Sequence, residues 1–247
     1  TQYQMEKVIQ QLKNDKEYYK GIGRNYLSNS DISDLLYNPT NFKNPRPDNK
    51  NFLFGRYFHQ LILEPEKAFG WEFVDSNSRN TKLYKETIQM REVEVMLLNK
   101  EKDLAQQLKE TMLRNFDFAM PIYKTGNKFE EPAIKKIQGI MWKGKADIVT
   151  DDCVIDIKST ADISRFKYSS RSYNYDSQAY LYQQLFGKPL VFFVICKETK
   201  VLGKFKPTYE FLERGEQKVK KAVSMYNKYF AEGTMENVEQ FYLNEDL

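Results

Sequence analysis

Cysteine is almost absent from this 247-residue chain, with only Cys153 and Cys196 present. Both lie in apolar, strand-like runs, which points to reduced, buried thiols in an intracellular protein. Two thiols also fall short of the four thiolates of an iron–sulfur cluster or a four-cysteine zinc site. Neither group is expected here. Long hydrophobic runs are missing too. The longest, Leu190 to Cys196, is far shorter than the ~20 residues needed to cross a bilayer. The amino terminus is polar and charged, with no secretory signal, so no membrane partner is expected. There is no internal repeat, glycine-rich phosphate loop or low-complexity segment. Nor does one sign of charge dominate: 38 basic residues face 34 acidic ones, a net charge of +4. That excess permits a nucleic-acid partner without demanding one.

Hydrophobic residues make up 41% of the chain and charged residues 29%, a balance that rules out general disorder. The length suits one domain with a substantial core. The most informative stretch runs from Ile140 to Tyr182. Ile140, Trp142, Ala146 and Ile148 alternate with Met141, Lys143, Lys145 and Asp147, and after Thr150-Asp151-Asp152 comes the apolar run Cys153 to Ile157. Period-two alternation on either side of a polar break predicts a β-hairpin. A two-residue turn at Asp151-Asp152 would set Asp147 directly across from Asp156. Lys158 would share the face of Asp156, because residues two apart in a strand point the same way. Opposed carboxylates repel, and a divalent cation between them would offset that repulsion. The plainer alternative, a strand end at Asp147 beside an exposed Asp156–Lys158 pair, fits poorly with the burial implied by Val154, Ile155 and Ile157.

Earlier in the chain, Met5, Val8, Ile9 and Leu12 predict a peripheral helix over residues 3–20, ended at Gly21 to Gly23. A second helix starts near Ser30, whose hydroxyl either caps it or, with Arg24 nearby, helps hold a phosphate. Residues 38–50 read as loop. Phe52 to Leu63 predicts a helix with Phe54, Phe58, Leu61 and Ile62 on its apolar face, closed by Glu64-Pro65. It carries His59, the only histidine, which reads either as a partly buried structural residue or as a ligand. Residues 81–115 predict a long charged helical arm broken near Asn99-Lys100, followed by strands at 116–123 and 129–137. Glu130 and Glu131 open the second of these, and either could take a role at a metal or just behind it. After Lys158, Arg165, Lys167 and Arg171 alternate with Phe166 and Tyr168. This stretch suits either a nucleic-acid groove or a solvated loop. Gln178 and Tyr182 fall four apart on one helical face.

These residues together resemble the PD-(D/E)XK nuclease superfamily. The pattern G-x-A-D-I-V, then D-I-K-S-T, then Q-x-x-x-Y places its motif on Asp147, Asp156, Lys158, Gln178 and Tyr182. The amino-terminal half is similar to the RecE-like, exonuclease VIII type branch and its phage recombination relatives. It does so through Leu27-Ser28-Asn29-Ser30-Asp31 with Pro39 and Phe42, then Gly55-x-x-x-His59-x-x-x-Leu63-Glu64-Pro65. The likeness covers residues 27 to 187. It departs from the pattern at Ala146, where the eponymous proline would stand, and at Asp156, one methylene shorter than glutamate.

The resemblance implies a single domain, residues 1–247: an α/β (α+β) restriction-endonuclease-like mixed β-sheet flanked by helices. A mainly helical part, 1–115, would carry His59, and 116–247 would form the core. It implies a DNA exonuclease, 5′-to-3′ from duplex ends or acting on single strands, in recombination or repair. An endonuclease or a non-catalytic DNA-binding protein would be the alternatives. Asp147, Asp156 and Lys158 would be catalytic. One or two Mg²⁺ or Mn²⁺ ions would be held by His59, Asp147, Asp156 and the carbonyl of Ile157. Gln178, Tyr182, Ser30, Arg165 and Arg171 would bind substrate. A homo-oligomeric ring, a single-strand annealing protein as partner, and the cytoplasm of a bacterial or phage-infected cell complete the expectation.

Overall fold

The computed structural model describes residues 2–245. Its first half is helical. The expected first helix is two, α1 (Gln2–Leu12) and α2 (Asp15–Tyr19), because the Asn14 side chain accepts from the Lys16 and Glu17 N–H groups and starts a new helix. Then come α3 (Ile32–Tyr37), α4 (Lys50–Leu63), α5 (Pro65–Ala68), α6 (Lys82–Met90), α7 (Asn99–Arg114) and α8 (Phe116–Ile122). The arm predicted over 81–115 is therefore α6 and α7. They are separated by an extended stretch whose Leu98 bridges to Val74. Residues 116–122, expected as a strand, are helical instead. Asn115 caps them through the Asp117 N–H, and Phe118 and Ile122, four apart, supply a buried stripe that alternation alone does not reveal.

The second half builds one five-stranded sheet in the order β1 (Lys128–Ile137), β2 (Ile140–Val149), β3 (Val154–Thr160), β4 (Leu190–Cys196) and β5 (Leu202–Phe205). Neighbours are antiparallel except β3 and β4, which run parallel from Val154↔Leu190 to Thr160↔Cys196. The first turn is a two-residue hairpin closed by Ile137↔Ile140, with Gln138 at φ 51° and Gly139 at φ 84°. Two left-handed residues match the right-handed twist of the flanking strands. At the second turn the Thr150 N–H donates to the Cys153 carbonyl at 2.9 Å, which leaves Asp151 and Asp152 at the tip as the register required. A parallel pair needs a crossover, and α9 (Phe166–Ser172) and α10 (Tyr175–Phe186) supply it. The last long helix, α11 (Tyr209–Tyr229), packs beside α10.

Both sheet faces are covered. On one, Phe54, Phe58 and Ile62 of α4 meet Ile155, Ile157, Phe193 and Ile195. On the other, Leu181 of α10 packs with Trp142, Val219 and Ala222. This is the mixed sheet flanked by helices, behind a helical amino-terminal part, that the motif pattern implied.

Helices α10 and α11 approach so closely that a Cβ on Gly215 would lie 2.1 Å from the Asp176 carbonyl oxygen. Backbone cannot yield as a flexible side chain would. Gly215→Ala should therefore destabilise the fold by ~1–3 kcal/mol, read as a fall of several degrees in the thermal unfolding midpoint. An unchanged midpoint would show that the two helices separate freely.

Candidate active site

The site forms where β2 and β3 stop pairing. Their ladder contains only Val149↔Val154 and Ile148↔Ile155. The next step would be Asp147 opposite Asp156, but the expected backbone pairing does not extend that far. Instead the Ile157 N–H donates to Asp147 Oδ2 at 2.7 Å, so a side chain closes the fork in place of the ladder. His59, reaching in from α4, bridges the same fork. Its Nδ1 lies 3.4 Å from Asp147 Oδ1, and its Nε2 lies 2.7 Å from the Ile157 carbonyl.

Asp156, only 2% exposed, enters from β3. Its Oδ1 accepts from Gln178 Nε2 of α10 at 2.7 Å, and Lys158 Nζ stands 2.8 Å from its Oδ2. The ammonium is the charged partner of this buried oxygen, and the pair closes one side of the Asp156 carboxylate. Lys158 also sits over the Tyr175 ring, 4.7 Å from its centroid.

Sequence reasoning left Glu130 and Glu131 undivided, and the structure separates them. Glu131 keeps its place in the ladder opposite Ala146. Glu130, the step opposite Asp147, drops out of the ladder with φ 49°, a left-handed conformation that costs ~1–2 kcal/mol for a residue with a Cβ. Its carboxylate joins His59 and Asp147, with potential ligand atoms all within 4.8 Å of one another. Asp156 is not in that tightest group. No local pattern announces a strand residue in left-handed conformation, so the choice of Glu130 has no sequence signal.

The charges act strongly on one another. Burial would lower the pKa of His59, but the Asp147 carboxylate outweighs it and raises the imidazole to about 9. Burial, reinforced by Asp147, lifts Glu130 to about 8. Burial also raises Asp156 against the pull of Lys158. For Asp147 burial is outweighed by His59, and its pKa falls. Lys158 is held above the ordinary lysine range, because Asp156 overcomes the effect of burial.

The remaining candidates lie elsewhere. The Tyr182 hydroxyl donates to the Lys145 carbonyl at 2.9 Å, which props β2 against α10. Ser30 is exposed, with its hydroxyl 2.9 Å from that of Ser28. Arg165 and Arg171 are exposed at the two ends of α9. No hydrogen bond or ion pair among the described residues ties Ser30, Arg165 or Arg171 to the fork.

The donor set suits a hard divalent cation. Glu130, Asp147 and Asp156 bring three carboxylates into one buried fork, against His59 and Lys158 as counter-charges. Carboxylates with a carbonyl and a single imidazole fit Mg²⁺ or Mn²⁺. His59, Glu130 and Asp147 would hold it, with Asp156 and the Ile157 carbonyl bordering the same space.

A mixed sheet whose forked central hairpin gathers carboxylates and a lysine defines the restriction-endonuclease-like class. Residues 36–237 match the family described as PDDEXK-like domain of unknown function (DUF3799), and the chain belongs to that family. Its fold is similar to the crystal structure of a candidate exonuclease from Eubacterium rectale, with TM-score 0.63 and 16% identity over 95% of each chain. A phage-related exonuclease from Haemophilus somnus 129PT aligns over 69% of this chain and 92% of its own. That alignment has TM-score 0.33 and 13% identity. No curated protein matches the sequence.

At neutral pH both His59, at about 9, and Glu130, at about 8, hold protons that a cation must displace. Mn²⁺ binding should therefore release between about one and two protons per ion at pH 7, and affinity should rise with pH until both groups have lost them. Calorimetric titration in buffers of different ionisation enthalpy measures this directly. A binding enthalpy independent of buffer would remove His59 and Glu130 from the ligand set.

Proposed function

We infer that this protein is a metal-dependent deoxyribonuclease that degrades DNA from an end. The observation that carries the reading is the fork itself: Asp147, Asp156, Lys158, His59 and Glu130 converge there in a chain of the PDDEXK-like family. A bound Mg²⁺ or Mn²⁺ would supply a Lewis acid that polarises the scissile phosphate and activates a water.

The chain's own residues do the rest. Lys158 keeps its positive charge at any physiological pH and presents it where negative charge develops on the phosphate, a preorganised electrostatic contribution. Gln178 fixes the Asp156 carboxylate through Oδ1, so that Oδ2 keeps one orientation. His59 and the Ile157 N–H hold Asp147 from both sides. Arg165 and Arg171 on α9 would contact the DNA backbone, each adding to the salt dependence of binding. Tyr182 and Ser30 act further out, Tyr182 by holding the β2 strand in place.

The finer features of the reading rest on the likeness of residues 27–65 to the RecE-like branch. These are 5′-to-3′ polarity, a role in recombination or repair, a ring of identical subunits and a single-strand annealing partner.

Asp156→Ala should abolish cleavage while DNA binding survives. Mg²⁺-dependent cleavage retained in that variant would refute the site. Lys158→Ala should lower the rate ~10²–10³-fold, the scale of losing one preorganised charge donor, with Mn²⁺ affinity retained. End-labelled linear duplex and covalently closed circular DNA, followed over time, test the mode of attack. Digestion of the linear form alone is expected, and cutting of the closed circle would overturn the exonuclease reading.

A further inference from the structure

Between α9 and α10 the backbone takes a sharp left-handed step at Asn174, φ 57°. Asparagine tolerates this conformation better than other residues with a Cβ, and here its surroundings fix it. Lys218 of α11 donates to Asn174 Oδ1 at 2.9 Å, and Asn174 Nδ2 donates to the Ser33 hydroxyl of α3 at 2.8 Å. Its carbonyl accepts from Asn29 and from Ser177, each at 3.0 Å. Three separate parts of the fold thus clamp one buried residue.

The clamp decides where two tyrosines point. Residues two apart in a continuous helix do not face each other. Across Asn174, however, the rings of Tyr173 and Tyr175 lie 5.8 Å apart and are tilted by only 36°. Tyr175 is the inner ring. It packs on Phe166 and Phe192, and Lys158 Nζ stands 4.7 Å from its centroid. Tyr173 is the outer ring, 65% exposed. Among the described residues its only aromatic neighbour is Tyr175. Packing therefore explains Tyr175 but not Tyr173, which offers a free face one ring outward from the Lys158 of the candidate site.

We propose that Tyr173, held by the Asn174 clamp, stacks on an unpaired nucleobase next to the scissile phosphate, so that the substrate reaches Lys158 as a single strand. The proposal rests on the nuclease reading and names the form of DNA that it takes. Inside a duplex both faces of a base are covered by its neighbours, so an exposed ring can stack only on an unpaired or terminal base. Such stacking tolerates any sequence, because every base has a π-face. The exposed Arg165, Lys167 and Arg171 of α9 carry the charge that a strand running past Tyr173 needs.

The test is equilibrium binding in EDTA, where metal-dependent cleavage is off, using a single-stranded oligonucleotide containing 2-aminopurine. Wild-type protein should quench the fluorophore. Tyr173→Ala should weaken binding ~5- to 150-fold, the worth of one base–aromatic stack, and should lose the quench. Tyr173→Phe should stay within about twofold of wild type. A covalently closed, fully paired circular duplex should bind Tyr173→Ala and wild type alike. In a second measurement, the emission of Tyr173→Trp should be quenched by an unlabelled oligonucleotide. An undiminished quench with Tyr173→Ala, or an equal loss of affinity for the closed duplex, would overturn the proposal. Cleavage of linear DNA by the wild type with Mg²⁺ is scored separately. Its absence alongside an intact quench would sink the nuclease reading and leave the stacking in place.

Discussion

One substitution of partners organises the site. Where the β2–β3 ladder ends, the Ile157 N–H bonds to the Asp147 carboxylate instead of to a backbone carbonyl. A buried N–H must find an acceptor, and a charged acceptor makes the stronger bond. The exchange lets the strands part without an orphaned donor at the split. It also fixes Asp147 at the mouth of the gap, and His59 then ties that carboxylate to the carbonyl of the same residue, Ile157. The opening between the strands and the charge that lines it thus have one cause.

Concentrating carboxylates in a largely buried fork is unfavourable unless something opposes their charge. The surrounding groups respond in the direction that physics requires. His59 and Lys158 hold their protons more tightly, and Glu130 and Asp156 resist ionisation. Strain is accepted as well, in the left-handed backbone of Glu130. Such costs persist only where the rest of the fold overdetermines them. The sheet, covered on both faces, supplies that rigidity: α4 brings His59, and α10 brings Gln178 and the Tyr182 prop.

The amino-terminal helices add a second support on the far part of β2. Lys145 pairs with Asp15 at 2.7 Å and lies over the Tyr18 ring. Lys143 donates to the Tyr18 carbonyl, and burial, aided by the charge of Lys43, lowers its pKa to about 8. Two lysines that would be expensive to bury alone are thereby satisfied by one short helix, and the strand bearing Asp147 is held from outside.

What could be read from the chain directly was whatever depends on near neighbours. Alternation over 140–149 and 154–158, the polar tip at Asp151-Asp152 and the helical spacing in 52–63 each reflect short-range geometry. The motif pattern then led to the superfamily and its mixed sheet. The sequence misled where two periodicities compete, as at 116–122, where a capped helix with one buried stripe looked like a strand. It was silent wherever position in space decided the matter. That His59 meets Ile157 across 98 residues was suggested by the family resemblance alone, not by any local pattern. Glu130 rather than Glu131 joins His59 because one φ angle turned positive. Tyr173 faces Tyr175 because α3 and α11 close on Asn174. A sequence records which side chains are available, but charges and rings act through distance, and distances between remote segments exist only once the chain has folded.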